Sequence, residues 1–96
     1  MYDSKIKAPE TDALFHAILT LKNEEECYRF FEDICTIKEI RDIAQRLEVA
    51  RMLKSGDTVA SIAQRTGAST TTVSRVNRCL QYGTGGYDLV LGKKAK

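Results

Sequence analysis

Between Thr58 and Gln81 the chain carries the pattern that leaves it the fewest ways to fold. Thr58-Val59-Ala60-Ser61-Ile62-Ala63-Gln64-Arg65-Thr66 predicts a two-turn helix over 59–66, with Thr58 as N-cap and Ile62 facing inward. Gly67 follows where the chain must reverse, a place that needs a left-handed backbone, which glycine adopts without steric cost. Ala68 can then tuck under the turn, and Ser69 is a good N-cap for a second helix over 70–82. In that helix Val73, Val76 and Leu80 recur at i, i+3 and i+7, so they pack back onto Ile62 and Ala63. The small side chain of Ala63 lets the two helices cross closely, as a tight helix-turn-helix requires.

That packing leaves Thr70, Thr71, Ser74, Arg75 and Arg78 on the opposite face, hydroxyls and guanidinium groups with no acid among them. Solvated faces usually mix charge signs, so an uncompensated basic face points to nucleic acid. Arg75 can pair bidentately with a guanine edge, and Thr70 or Thr71 can hydrogen-bond a base or meet a thymine methyl. Ser74 and Arg78 suit phosphate, and the helix N-terminus around Ser69, Thr70, Thr71 and Thr72 can hold a phosphate as well. The expected partner is double-stranded DNA, bound in the major groove.

Charge is distributed to match. Residues 1–35 hold four Lys/Arg against eight Asp/Glu, a net of −4, whereas residues 36–96 hold eleven against five, a net of +6. The C-terminal part is the one suited to a polyanion.

Upstream the periodicity is helical throughout. Ala13, Leu14, Ala17, Ile18 and Leu21 share one face of a helix expected from about 11 to 21, behind a loose arm over 1–8 that ends at Pro9. Asn23 precedes three glutamates, an N-cap and an acidic first turn for a helix over 24–35, whose Cys27, Phe30, Phe31 and Ile34 form an apolar face. Thr36-Ile37-Lys38-Glu39 fits a capping box opening the longest helix, 37–54. Its stripe of Ile37, Ile40, Ile43, Ala44, Leu47, Ala50, Met52 and Leu53 is wide enough for contacts on two sides, and Ser55-Gly56 supplies the stop. After Gln81, Gly83-Thr84-Gly85-Gly86 reads as a C-cap and hinge before an apolar tail, Tyr87 to Leu91, and a basic end at Lys93, Lys94 and Lys96. The fold class is all-α.

Other functions find little support in the residues. No apolar run approaches the roughly 20 residues of a membrane span, so a cytoplasmic protein without membrane contact is expected. Cys27, Cys35 and Cys79 form no C-x-x-C pair, and the single histidine, His16, lacks neighbouring ligands, so no disulfide framework or metal site is expected. No convergent acid, base and nucleophile and no cofactor loop occurs, so the chain is not expected to be an enzyme. The rival to DNA reading is a helical interaction module that binds another regulator or polymerase through Tyr87 to Leu91.

Over nearly its whole length the chain resembles the Trp repressor superfamily, and within it the YerC/YecD-like group of bacterial regulators. Phe30-Phe31-Glu32-Asp33-Ile34 followed by Thr36, Arg46-Leu47-Glu48-Val49, Thr66-Gly67, Val73-Ser74-Arg75 and Tyr82-Gly83-Thr84-Gly85-Gly86-Tyr87 carry the resemblance. It implies a single domain forming an intertwined homodimer: dimerisation helices over 9–56, the reading head over 57–82, and a Gly-rich turn and tail over 83–96. One recognition helix per half-site, with half-sites one helical turn apart, or roughly 34 Å, implies a near-palindromic operator and repression.

The resemblance also implies an effector pocket at Thr36, Arg46, Arg75, Val76 and Cys79. In the Trp repressor two arginines sandwich the indole of tryptophan, and Arg46 and Arg75 are similar in position. Val76 stands where that repressor has glycine, and Cys79 where it has serine. A branched Val76 side chain should intrude on the ligand. The expectation is a different small-molecule corepressor, or none.

Overall fold

The computed structural model describes residues 2–92. Six helices account for the regular structure of those residues, in the order α1 (Pro9–Ile18), α2 (Glu24–Ile34), α3 (Ile37–Lys54), α4 (Val59–Thr66), α5 (Thr70–Tyr82) and α6 (Gly86–Leu91). The chain divides into two compact units, Met1–Ile37 and Lys38–Lys96, so the boundary falls at the start of α3. The basic end at Lys93, Lys94 and Lys96 lies outside the described residues.

In the N-terminal unit, α1 starts two residues earlier than the apolar pattern suggests. Pro9 itself occupies the first turn, where its missing N–H costs no helical bond and its fixed φ suits the helix. It also ends earlier, at Ile18, where the Thr20 hydroxyl donates to the Ala17 carbonyl and the Leu21 N–H bonds to Ile18 in a tightened last turn. The arm is tied down in part: the Lys7 ammonium pairs with Asp12 at 2.6 Å, so Lys7 is already engaged. Asn23 caps α2 as its sequence requires, its side-chain oxygen accepting from the Glu26 N–H at 2.9 Å, while the Glu26 carboxylate reaches back to the Lys22 N–H. Phe30 and Phe31 meet edge to face at 5.3 Å.

The C-terminal unit is built around seven buried residues, Val49, Ala50 and Met52 of α3, Ile62 of α4, Ala68 of the turn, and Val73 and Val76 of α5. Leu53, Ala63, Leu80, Tyr87 and Leu91 pack against them. Only the C-terminal part of the α3 stripe is therefore buried, while Ile37, Ile43 and Leu47 remain exposed. Val49 does not belong to the stripe read from the sequence, yet it is fully buried.

α6 stands where the glycine spacing predicts only a turn and an apolar tail. Its existence depends on the preceding glycines. A β-carbon at Gly83 would collide with the Cys79 carbonyl, the same group that accepts the Gly83 N–H, and Gly85 adopts a left-handed conformation at the start of the helix. The reversal returns the chain to α3, where the Asp88 carboxylate pairs with the Lys54 ammonium at 2.7 Å. The Lys54 side chain is only 10% exposed there.

Candidate nucleic-acid interface

The α4–α5 pair is positioned by local chemistry at each of its ends. The Thr58 hydroxyl accepts from the Ser61 N–H at 3.1 Å, and the Ser69 hydroxyl accepts from the Thr72 N–H at 3.0 Å, so each helix begins on a side-chain cap. Gly67 ends α4 with φ of 78°, in the left-handed region, and its N–H returns to the Ala63 carbonyl. The Thr66 hydroxyl donates to the Ile62 carbonyl and accepts from the Ala68 N–H, which stitches the turn to the helix before it. From α3, the Gln45 amide donates to the Thr66 carbonyl at 3.2 Å. These bonds fix how α5 leaves the turn.

With Val73 and Val76 turned into the core, Thr70, Thr71, Ser74, Arg75 and Arg78 line one open depression of about 270 Å³. They are the five residues that the helical spacing assigns to a common face. Neither arginine has an acidic partner among the described residues. Burial therefore leaves two full positive charges in water beside three hydroxyls. Ser69 and Thr72, also expected at this face, have other tasks. The Ser69 hydroxyl caps α5 and donates to the Thr72 hydroxyl at 3.1 Å, and Thr72 lines a separate cavity.

That cavity, of about 250 Å³, is lined by Arg46 of α3, Thr72, Arg75, Val76 and Cys79 of α5, and Tyr87 of α6. Four of the five residues expected for an effector pocket are thus brought together. Thr36, the fifth, lies in the N-terminal unit. Tyr87 is the residue that the sequence reading missed here. Its assignment to a docking tail was compatible with any number of neighbours, and no periodicity links it to Arg46 across some forty residues. Burial raises the Tyr87 phenol above the ordinary tyrosine range, the nearby Cys79 adds to the rise, and Arg46 opposes it. Val76 is 3% exposed, so it serves the core and the cavity wall at once.

Two further features of the C-terminal unit border the site. Ile43, Leu47, Cys79, Tyr87 and Val90 form a broader, mostly apolar groove. On another part of α3, Arg51 makes a two-point contact with Glu48, its Nε at 3.0 Å from one carboxylate oxygen. That hydrogen bond holds the Glu48 carboxyl below its ordinary range against an opposing desolvation. Among the described residues no helix is long and apolar enough to cross a membrane, and no three His, Cys, Asp or Glu cluster as metal ligands would.

Comparison with known proteins places this arrangement. The family model described as "Trp repressor protein" matches residues 9–95. An uncharacterized protein of Bacillus subtilis (strain 168), YerC, is 56% identical over 93 residues, covering 97% of this chain and 89% of that protein. The crystal structure of a TrpR like protein from Eubacterium eligens ATCC 27750 superposes with a TM-score of 0.87 at 55% identity, covering 91% of this chain and 90% of that one. A solved structure from Staphylococcus aureus superposes with a TM-score of 0.86 at 54% identity, covering 91% and 87%. With the match running from the first residue of α1 past the last residue of α6, the chain belongs to the Trp repressor family.

Proposed function

We propose that this protein is a sequence-specific double-stranded DNA-binding regulator of transcription, a cytoplasmic repressor that acts as a homodimer with one α5 helix per major-groove half-site. The observation that carries the reading is the α5 face itself: Thr70, Thr71, Ser74, Arg75 and Arg78 share one depression, and among the described residues no carboxylate pairs with its two arginines. Base edges in the major groove offer acceptors to Arg75 and mixed donors, acceptors and methyl groups to Thr70 and Thr71. Ser74 and Arg78 bond the phosphates that set register, and the N-terminus of α5, with Ser69 and Thr72 as its first hydrogen-bonded pair, adds partial positive charge.

The dimer is supported by apolar surface that one chain leaves open. Phe15, Leu19, Tyr28, Ile34, Ile37, Ile43 and Leu47 are all exposed. Large apolar side chains left exposed in each unit are candidates for burial against a second copy. Two-fold symmetry then implies a near-palindromic operator.

Selection of bound duplexes from a random DNA pool tests all of these points together. The expected result is an enriched, near-palindromic sequence with two half-sites. Absence of any enriched sequence would sink the proposal. For the cavity we propose that tryptophan is not held as in the Trp repressor, because Val76 occupies the space that glycine leaves there. Calorimetry should show no micromolar tryptophan binding, and a different small corepressor, or none, serves instead.

A protein-interaction module is the second reading, favoured by the exposure of Tyr82, Leu89 and Val90 around α6. It predicts that reversing the charges of Arg75 and Arg78 leaves DNA retention unchanged.

A further inference from the structure

Arg75 lines both the open depression of the α5 face and the cavity that Tyr87 also lines. A guanidinium on a flexible stem can turn toward either. Bidentate pairing with a base edge requires one fixed plane, and each rotamer-rich side chain immobilised at an interface costs binding free energy. Whatever already restricts Arg75 before DNA arrives therefore contributes to discrimination between sequences.

We propose that Tyr87 of α6 is a positioning residue for Arg75, walling the cavity side of α5 so that the Arg75 guanidinium is presented to DNA without any bound effector. The inference rests on the DNA-reading function of α5. Three features support it. Arg46 stands in the same cavity with no carboxylate among the lining residues, so like-charge repulsion disfavours Arg75 on that side. Tyr87 packs against the core and lines the cavity together with Cys79 and Arg46. α6 is anchored to α3 by the Lys54–Asp88 pair, where the lysine is largely withdrawn from solvent, and by Leu91 against the core. Neither Tyr87 nor Asp88 belongs to the face that meets DNA.

The test compares affinity for the selected duplex with affinity for a scrambled duplex of the same length, by fluorescence anisotropy over a salt series. Tyr87→Ala should weaken binding to the selected duplex by roughly tenfold, the scale of one good base contact, and leave the scrambled duplex and the salt slope unchanged. Tyr87→Phe, which keeps the ring, should retain the wild-type preference. In an Arg75→Ala background, Tyr87→Ala should add no further loss, because the two side chains act through one contact.

Asp88→Asn provides a second route that spares the core, with a smaller loss of about threefold in the same preference. Circular dichroism confirms that each variant is folded, and if Tyr87→Ala is not, Asp88→Asn decides the question by the same comparison. Equal weakening on both duplexes, or a full additional loss in the Arg75→Ala background, would overturn the positioning role. Wild-type protein that prefers no duplex would overturn the DNA-reading function and this inference with it, a result visible before any variant is made.

Discussion

All seven buried side chains of the described residues lie between Val49 and Val76, whereas α1 and α2 contain none. The contrast is not one of composition. α1 and α2 carry Leu14, Phe15, Ile18, Phe30, Phe31 and Ile34, an apolar content that should drive burial as strongly as the valines of α5. What differs is the closure of the chain on itself. The α4–α5 turn folds two apolar faces together within some twenty-five residues, and α3 and α6 seal them. Two amphipathic helices have fewer surfaces to offer one another, so none of these side chains becomes buried. One unit therefore has a core of its own, and the other leaves the apolar faces on which the proposed dimer rests.

The largest effect is expected at the proposed DNA-binding face of α5. Arg75→Glu combined with Arg78→Glu should lower operator affinity by about a thousandfold, since each lost charged contact is replaced by repulsion. The thermal midpoint should stay unchanged, because neither side chain enters the core. Anisotropy and calorimetric melting check the pair of outcomes.

Next in size is the core of the self-sufficient unit. Ile62→Ala removes a fully buried side chain and should destabilise the protein by about 3 kcal/mol in urea unfolding, within the range of buried large-to-small changes. An equally costly Leu14→Ala in a monomeric sample would erase the distinction between the units.

For the N-terminal unit, Phe15→Glu in α1 with Leu19→Glu just beyond its end places charges on two exposed apolar positions. We expect the proposed dimer to weaken by at least about tenfold, read by sedimentation velocity, because a buried unpaired charge costs more than one hydrogen bond. An unchanged mass would show that this face is not where the copies meet.

Smaller effects separate local from tertiary control. Ser69→Ala removes the α5 cap and should cost about 1 kcal/mol. The smallest effect is a pH dependence at α6. The Tyr87 phenol is raised in the folded protein, so its protonated form favours folding: the contribution is complete below the ordinary tyrosine value near 10 and is lost as pH rises through the folded value. Wild-type stability should therefore fall in that alkaline window more than that of Tyr87→Phe, as followed by urea melts.

Local chemistry made much of this molecule readable without coordinates. Thr58, Gly67 and Ser69 act within three or four residues of themselves, and a cap or a left-handed turn needs nothing distant to form. The spacing of Val73 and Val76 likewise dictated which residues of α5 face away, so the five members of the depression could be named from a helical period alone. Pro9 moved the start of α1 for a local reason as well, one that the apolar pattern cannot carry because proline leaves no mark on it.

What the sequence alone determined, then, is the all-α class, the capped α4–α5 pair and the membership of the α5 face, because each depends on side chains one or two helical turns apart. The tertiary structure decided which part of the long α3 stripe is buried, since Val49 and Met52 meet α4 and α5 while Ile37, Ile43 and Leu47 do not enter the core. It also decided the fate of the last described helix. The glycines after Tyr82 permit a reversal but do not specify its direction, and only the fold brings Asp88 to Lys54 and Tyr87 to Arg46, Arg75 and Cys79. Contacts across some thirty to forty residues are chosen by packing of whole helices, which no local period encodes.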